Sequence, residues 1–233
     1  LVNLADTASA RLLTAWMDTA FGGALAGDFG SIRRTNDANA LLVKLDWRLN
    51  PVHSLSLKYN FTNSRQENGT FDVDTWARSA NGIERDYSHA VNGSLVSLLS
   101  QSVTNEFRFQ FAREYRPRPY GGPTIPSTNG DLWKTNGRPI PDTGADFGEG
   151  FRWGMPFFLP IDAMDQRIQV LDNLSVVRGR HLLKVGVEFN RTNENQTFIG
   201  FSDSRYIFSS VPGFLNYVAQ GPTYVECSNG TSN

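Results

Sequence analysis

The chain has 233 residues, 39% of them apolar and 19% charged, which is an ordinary balance for a folded protein. Its 22 basic and 23 acidic residues give a formal net charge of -1, so no bulk positive field draws it to nucleic acid, and we expect no nucleic-acid partner. Cys227 is the single cysteine, which excludes an internal disulfide framework and a multi-cysteine metal site but leaves open a bond to a cysteine outside this chain.

The N-terminal region, residues 1–36, is predicted to be a loop that carries one short helix. The segment TASARLLTAWMDTAFGG places Leu13, Trp16 and Met17 on one apolar stripe, and Gly22 ends the pattern. We expect this helix to pack against neighbouring parts of the chain rather than to bind a partner. The first residues lack a basic start followed by an apolar core, so we expect no signal peptide, and we expect the chain to be a piece of a longer polypeptide.

Alternating residues predict a β-hairpin over residues 38–63. In NALLVKLDWRLN and HSLSLKYNFT every second residue is apolar, and successive side chains of a strand point to opposite faces. Between the two runs, Asn50 readily starts a turn and Pro51 cannot continue a ladder. The apolar side chains therefore share one face: Leu41, Val43, Leu45, Trp47, Leu55, Leu57, Tyr59 and Phe61.

Two further hairpins of the same design are predicted over residues 87–116 and 165–192. Each has a short polar link, whereas the connections between hairpins are long, and the region 193–233 is predicted to be a loop with a second short helix at PGFLNYVAQG. Compact soluble domains rarely keep loops of more than about 12 to 15 residues. Tight turns that alternate with long loops, and strands of about 10 residues, are typical of outer-membrane barrels.

The predicted fold is therefore all-β, with antiparallel meander hairpins that form part of a large transmembrane β-barrel and with long extracellular loops that carry short helices. In this fold the apolar stripe faces lipid, while Lys58 and Asn60 face the lumen. The alternative is a secreted β-sandwich, a binding or adhesion module, which would bury the same stripe against a second sheet. The charged residues opposite the stripe fit both folds.

The sequence contains no catalytic or metal-binding pattern, so we expect no enzyme, no cofactor and no metal. The sequence has no G-x-S-x-G elbow and no G-x-x-x-x-G-K-[ST] phosphate loop. His53 and His181 are predicted at two tight turns and His89 at the beginning of a strand, without the spacing of a metal site.

A cationic and aromatic lip is the hypothesis for ligand binding. The loop that begins REYRPRPYGGP and continues to FRWGMPFF contains the candidate residues Arg113, Tyr115, Arg116, Arg118, Tyr120, Trp133 and Trp153. Such side chains can hold an anionic or flat ligand. Packing within the loop and anchoring of aromatic side chains at the membrane interface explain the same residues.

Three segments resemble TonB-dependent outer-membrane receptors, in particular the Oar-like group with a carboxypeptidase-regulatory-like N-terminal domain. These segments are RTNDANALLVKLDWRLNPVHSLSLKYNFT, NEFRFQFAREYRPRP and LDNLSVVRGRHLLKVGVEFNRT. The resemblance covers most of residues 34–233, and RGRHLLKVGVEF is its most specific part.

The resemblance implies a plugged barrel in the outer membrane of a Gram-negative bacterium that takes up an unidentified ligand with energy relayed by TonB. The implied partners are membrane lipid, the plug domain and remaining barrel of the same protein, TonB through a segment outside this chain, and the ligand. Six strands cannot close even a barrel of about 8 strands, and such transporters have about 22. The chain would then form roughly a quarter of the wall.

Overall fold

The computed structural model of the protein describes residues 7–69, 76–125, 137–145, 150–200 and 205–221. The elements in chain order are α1 (Thr7–Thr19), a 3-10 turn (Ala20–Gly23), β1 (Thr35–Arg48), β2 (His53–Glu67), a second 3-10 turn (Arg78–Ala80), β3 (Ile83–Ser100), β4 (Val103–Tyr115), β5 (Asp142–Ala145), β6 (Phe151–Trp153), β7 (Ile161–Arg178), β8 (His181–Phe198), β9 (Arg205–Phe208) and α2 (Val211–Gln220).

Six strands form one antiparallel sheet in the order β1-β2-β3-β4-β7-β8. Its tight turns are residues 49–52, 101–102 and 179–180, so the three predicted hairpins are confirmed. At the first turn the Asn50 Oδ1 atom accepts hydrogen bonds of 2.8 Å from the backbone N–H groups of both Val52 and His53. This is the side-chain-to-backbone turn that asparagine favours.

The strands are longer than the predicted 10 residues or so: β4 has 13 residues, and β3, β7 and β8 have 18 each. The prediction was wrong because alternation of apolar residues marks only the central part of each strand. The ladder continues at the long-loop end through polar residues, for example where Ser64 pairs with Asp86. His89 consequently lies inside β3, whereas the sequence predicted it at the beginning of that strand.

The predicted apolar stripe forms one continuous face of the large sheet, which we call the apolar face. The strands are paired so that apolar residues of neighbouring strands lie side by side: Leu45 pairs with Leu57, and Phe109 pairs with Val170. From Leu41 to Trp47 the chain rises roughly 20 Å at about 3.3 Å per residue. This length fits within the apolar band of about 25 Å on outer-membrane barrels, whose strands are tilted.

The apolar face is uncovered over the part of the chain that the structure describes. Many of its large side chains are exposed, from 38% for Phe109 to 72% for Val185, and others, such as Leu55 and Phe61, are half-buried. A β-sandwich would bury these side chains against a second sheet. The sandwich alternative was therefore wrong, and the sheet has the architecture of a segment of barrel wall, as predicted.

The long connections fold together at one end of the sheet into a separately packed region, which we call the loop unit. It contains α1, α2 and a small sheet of order β6-β5-β9, in which β5 and β9 are parallel. Both helices lie where the sequence predicts them, whereas the small sheet was not predicted. Its core includes Leu13, Met17, Leu25, Ile140, Trp153 and Phe214.

Packing against this core confirms the structural role predicted for α1. The Trp16 ring of α1 lies 4.8 Å from the Phe214 ring of α2, and Trp153 of β6 lies 4.9 Å from the same Phe214 ring. The side chain of Ser210 caps α2 by accepting a 3.0 Å hydrogen bond from the Gly213 N–H. Neither helix in the described ranges has the length and apolar character needed to span a membrane.

Candidate functional site

The polar face of the large sheet, opposite the apolar face, is built by the alternate residues of the same strands. One register row runs through Lys44, Lys58, Asn92, Gln110, Gln169 and Asn190. In the middle of the sheet an open recess of about 370 Å³ is bordered by Arg108 and by every member of this row except Asn190. The recess can therefore offer both hydrogen bonds and positive charge to an occupant.

Two of the three cations at this recess have carboxylate partners. The Lys44 Nζ atom lies 2.8 Å from the Asp46 Oδ2 atom, and the Arg108 Nη2 atom lies 2.6 Å from the Glu106 Oε1 atom. Lys58 stands directly opposite Lys44 in the register and has no ion pair among the described residues. Because like charges on opposed strand positions repel, this row favours an anionic partner.

Two arginines of the predicted lip form ion pairs on the wall. The Arg116 Nη2 atom lies 3.0 Å from Asp165 Oδ2, and the Arg116 Nε atom lies 3.4 Å from Glu114 Oε1. The Arg118 Nη2 atom lies 3.2 Å from Glu84 Oε1. These contacts neutralise both cations and fix the chain that leaves β4.

The aromatic candidates of the lip do not share one surface. Trp153 is buried at 1% exposure in the loop unit, because β6 places its indole between α1 and α2. The hydroxyl of Tyr120 donates a 3.2 Å hydrogen bond to the Pro123 carbonyl, and burial, followed by the nearby Asp28 charge, raises the pKa of this phenol. Trp133 lies outside the described residues, as does Cys227.

The two remaining candidates, Arg113 and Tyr115, lie on the apolar face at the long-loop end of β4. Tyr115 pairs with Tyr87 across the strands, and their rings stack with centroids 6.2 Å apart. The predicted residues therefore divide among the wall, the loop core and the apolar face. The candidate residues that the structure describes do not form a single lip.

A buried ion-pair network in the loop unit was missed at the sequence level. The Asp142 carboxylate lies 3.0 Å from the Arg152 Nε atom and 3.2 Å from the Arg205 Nε atom. The Arg152 guanidinium also lies 4.9 Å from the Trp76 ring centroid. Burial raises the pKa of Asp142 and lowers the pKa of Arg152, while their mutual attraction opposes both shifts.

This network joins parts of the chain that are far apart in sequence, so no local motif could reveal it. Asp142 begins β5, Arg152 is in β6 and Arg205 begins β9. Its burial and its position inside the loop unit indicate that it fixes the loops relative to one another. Within the described ranges, no three His, Cys, Asp or Glu side chains come together in a way that would hold a metal ion.

Comparison with protein families gives one match over nearly the whole chain. A family model described as an outer membrane beta barrel domain matches residues 2–219. The comparison with curated proteins and the comparison with solved structures give no significant match.

Proposed function

The chain belongs to the outer membrane beta barrel domain family and lies in the bacterial outer membrane, and from this premise we propose that it forms part of the wall of a TonB-dependent receptor that takes up a ligand. The observation that carries the proposal is the polar face, where Lys58, which has no ion pair among the described residues, lies beside a row of amides in the middle of the large sheet. The resemblance of the RGRHLLKVGVEF hairpin to TonB-dependent receptors points the same way.

A plug domain of the same protein is the proposed occupant of the polar face. Lys58, which has no ion pair among the described residues and lies between Lys44 and Asn92 in the register, suits an acidic and polar protein surface, with which it can form charge-assisted hydrogen bonds. A wide, water-filled pore would leave this cation solvated and would not require a partner. TonB would act on the plug, and the wall would remain rigid while the plug moves.

The loop unit supports capture of a ligand at the outer end of the barrel. Loops on a rigid scaffold commonly carry recognition residues, and here the buried network of Asp142, Arg152 and Arg205 holds three segments in one arrangement. We propose that the surface of the loop unit meets the ligand before the plug moves. In this proposal the wall catalyses no reaction and binds no nucleic acid.

The two unpaired edges of the large sheet fit this proposal. Within the described residues, β1 pairs only with β2 and β8 pairs only with β7. An open edge in a membrane leaves backbone N–H and C=O groups without partners, which is costly in lipid. We propose that further strands of the same protein pair with both edges and close the barrel.

Photo-crosslinking from adjacent residues of β2 tests the proposed plug. A photoreactive amino acid is placed at Lys58 in one variant and at Leu57 in the control, in cells with and without TonB. We expect position 58 to form a crosslink to another segment of the same polypeptide, and we expect ligand to change its yield only when TonB is present. The photoreactive amino acid at position 57 should crosslink to lipid and to no protein segment.

Two results would contradict the proposal. If position 58 gives no protein crosslink, and a cysteine at that position reacts with a water-soluble maleimide as fast as a free thiol, then the lumen is open and the protein is a passive pore. Ligand uptake at an equal rate in cells with and without TonB would exclude the energy-coupled mechanism, whatever fills the lumen.

A further inference from the structure

A second recess lies on the apolar face at the long-loop end of β3 and β4, and we call it the arginine recess. It has a volume of about 570 Å³, and its walls are Arg85, Tyr87, His89, Arg113 and Tyr115, with Pro117 and Pro119 at the loop side. The register explains the cluster, since Tyr87 pairs with Tyr115 and His89 pairs with Arg113. We propose that this recess binds the phosphorylated headgroup of a membrane lipid.

The two arginines of the recess have no carboxylate within ion-pair distance among the described residues. The Arg85 Nη1 atom donates a 3.3 Å hydrogen bond to the Tyr87 hydroxyl, and the Arg85 Nε atom is buried without a hydrogen-bond partner. The Arg113 Nη2 atom contacts the Met164 Sδ atom at 3.2 Å. A buried guanidinium N–H without an acceptor costs free energy, so an anion at this point would be stabilising.

A neighbouring positive charge further favours an anion in the arginine recess. Arg65 lies directly opposite Arg85 on β2, and two like charges at opposed positions destabilise a sheet. Arg65 has its own partner in Glu67. At the edge of the recess, Asp162 of β7 lies two residues before Met164, the cross-strand partner of Tyr115, and its single charge leaves the arginines in excess.

The recess lies immediately beyond the apolar band, as a headgroup site must. The next register row toward the membrane interior contains Val91, Phe111 and Ile168, over which acyl chains can lie. Tyrosines are enriched at the membrane interface, and arginine forms bidentate hydrogen bonds with phosphate. A soluble anion would gain nothing from the apolar row, so the neighbourhood favours a phosphorylated lipid of the leaflet on the long-loop side.

Histidine and tyrosine side chains hold the floor of the recess in place. The Tyr59 hydroxyl and the His89 Nδ1 atom are 2.8 Å apart, and His89 packs on the Phe61 ring with centroids 5.0 Å apart. The backbone N–H of Arg85 donates to the Pro117 carbonyl at 3.2 Å. The site is thus formed by strands and by a proline-containing segment that is hydrogen-bonded to them. The inference requires only that this face of the sheet contacts lipid, and it does not depend on whether the protein transports a ligand.

Lipid binding by the purified full-length protein in detergent tests the inference. Diphosphoryl lipid A is the probe, bound lipid is counted by native mass spectrometry, and folding is checked by heat-modifiable migration. We expect the double variant Arg85→Gln and Arg113→Gln to bind the probe at least about tenfold more weakly, because it removes both cations that would pair with the phosphate groups. The matched control, Arg178→Gln, changes an arginine at the short-turn end of β7 and should leave binding unchanged.

Chemical variation of the probe gives a second measurement that needs no variant. Wild-type protein should bind dephosphorylated lipid A as weakly as the double variant binds the intact lipid. The inference is overturned if the double variant or the dephosphorylated lipid gives wild-type binding, or if Arg178→Gln weakens binding as much as the double variant does. Inorganic phosphate that binds the protein as tightly as the lipid would show a soluble-anion site and would overturn the lipid assignment.

Discussion

Asp28 shows at the scale of single residues how the loop unit is held together. Its carboxylate is 1% exposed, and it accepts hydrogen bonds from the backbone N–H of Ser79 at 2.9 Å and from the Ser79 hydroxyl. The Ser79 Oγ atom in turn accepts a 2.8 Å hydrogen bond from the Gly154 N–H. Ser79 therefore links the turn after α1 to the segment after β6.

Substitution Ser79→Ala should destabilise the loop unit by about 1–3 kcal/mol, because it leaves a buried acceptor and a buried donor without a partner. Faster hydrogen exchange of the backbone amides in residues 76–82 and 150–155 would measure this loss. The control, Ser100→Ala, changes an exposed serine at the turn between β3 and β4 and should leave those rates unchanged. Equal exchange in Ser79→Ala and wild type would contradict the predicted link.

Asp28 should also make the stability of the loop unit depend on pH. Burial is the largest influence on this carboxyl and raises its pKa above the usual 3.8, while the Ser79 hydrogen bonds and the Arg78 charge oppose the rise. A raised pKa means that the folded state binds the proton more tightly than the unfolded state does. The contribution of Asp28 to the free energy of local unfolding therefore falls as pH rises from 3.8 through the raised pKa.

Variant Asp28→Asn should remove that part of the pH dependence. The measurement is hydrogen exchange of residues 76–82 as a function of pH, corrected for the intrinsic pH dependence of exchange. We expect the protection of wild type to decrease relative to that of Asp28→Asn as pH rises through the interval. If the difference between the two proteins is constant over the interval, then the Asp28 carboxyl does not titrate with a raised pKa.

Individual site residues were harder to predict than strand faces. Trp153 looked like a lip residue because it lies in an aromatic and glycine-rich segment, yet its indole is in the loop core. Gly154 explains part of the local turn, because its φ is +79° and a Cβ atom there would lie 2.0 Å from the Pro141 carbonyl oxygen. Such contacts depend on distant segments, and the local pattern does not contain them.

At the scale of elements, alternation predicted the three hairpins and the two faces, and both helices were predicted separately, the first from its apolar stripe and the glycines that end it. Alternation did not predict β5, β6 and β9, because strands of 3 or 4 residues are too short to show a period. It also underestimated the length of the large strands, whose outer ends are polar on both sides. Short strands in a loop are stabilised by pairing with partners far along the chain, as β5 pairs with β9.

Opposite faces of β2 should respond differently to a new charge. Leu57→Arg places a cation within the lipid-facing band, and an arginine near the bilayer midplane costs about 2–4 kcal/mol in outer-membrane barrels. Ser56→Arg, one residue earlier, places the same side chain on the polar face and should cost far less. Folding into lipid vesicles at increasing urea concentration, followed by heat-modifiable migration, measures both variants, and equal losses would contradict the assignment of the faces.

At the scale of the whole molecule, the large sheet, which forms the barrel wall, and the loop unit have different roles. The wall exposes apolar side chains on one face and a mixed set of charges on the other, and the large sheet ends in two unpaired edges within the described residues. The loop unit has a buried core of its own and lies at the long-loop end. This division is what a membrane-embedded wall with an external cap requires, and it explains why apolar surface is buried in one part and exposed in the other.

The central claim is that the apolar face contacts lipid and the polar face does not, and spin labelling along β2 tests it most directly. Single nitroxide labels at each position from 54 to 61 of the full-length protein in lipid vesicles are measured for collision with oxygen, which dissolves in the bilayer, and with a water-soluble nickel chelate. The account predicts maxima of oxygen collision at positions 55, 57, 59 and 61 and minima between them. Maxima at positions 54, 56, 58 and 60, or equal values at all eight, would contradict it.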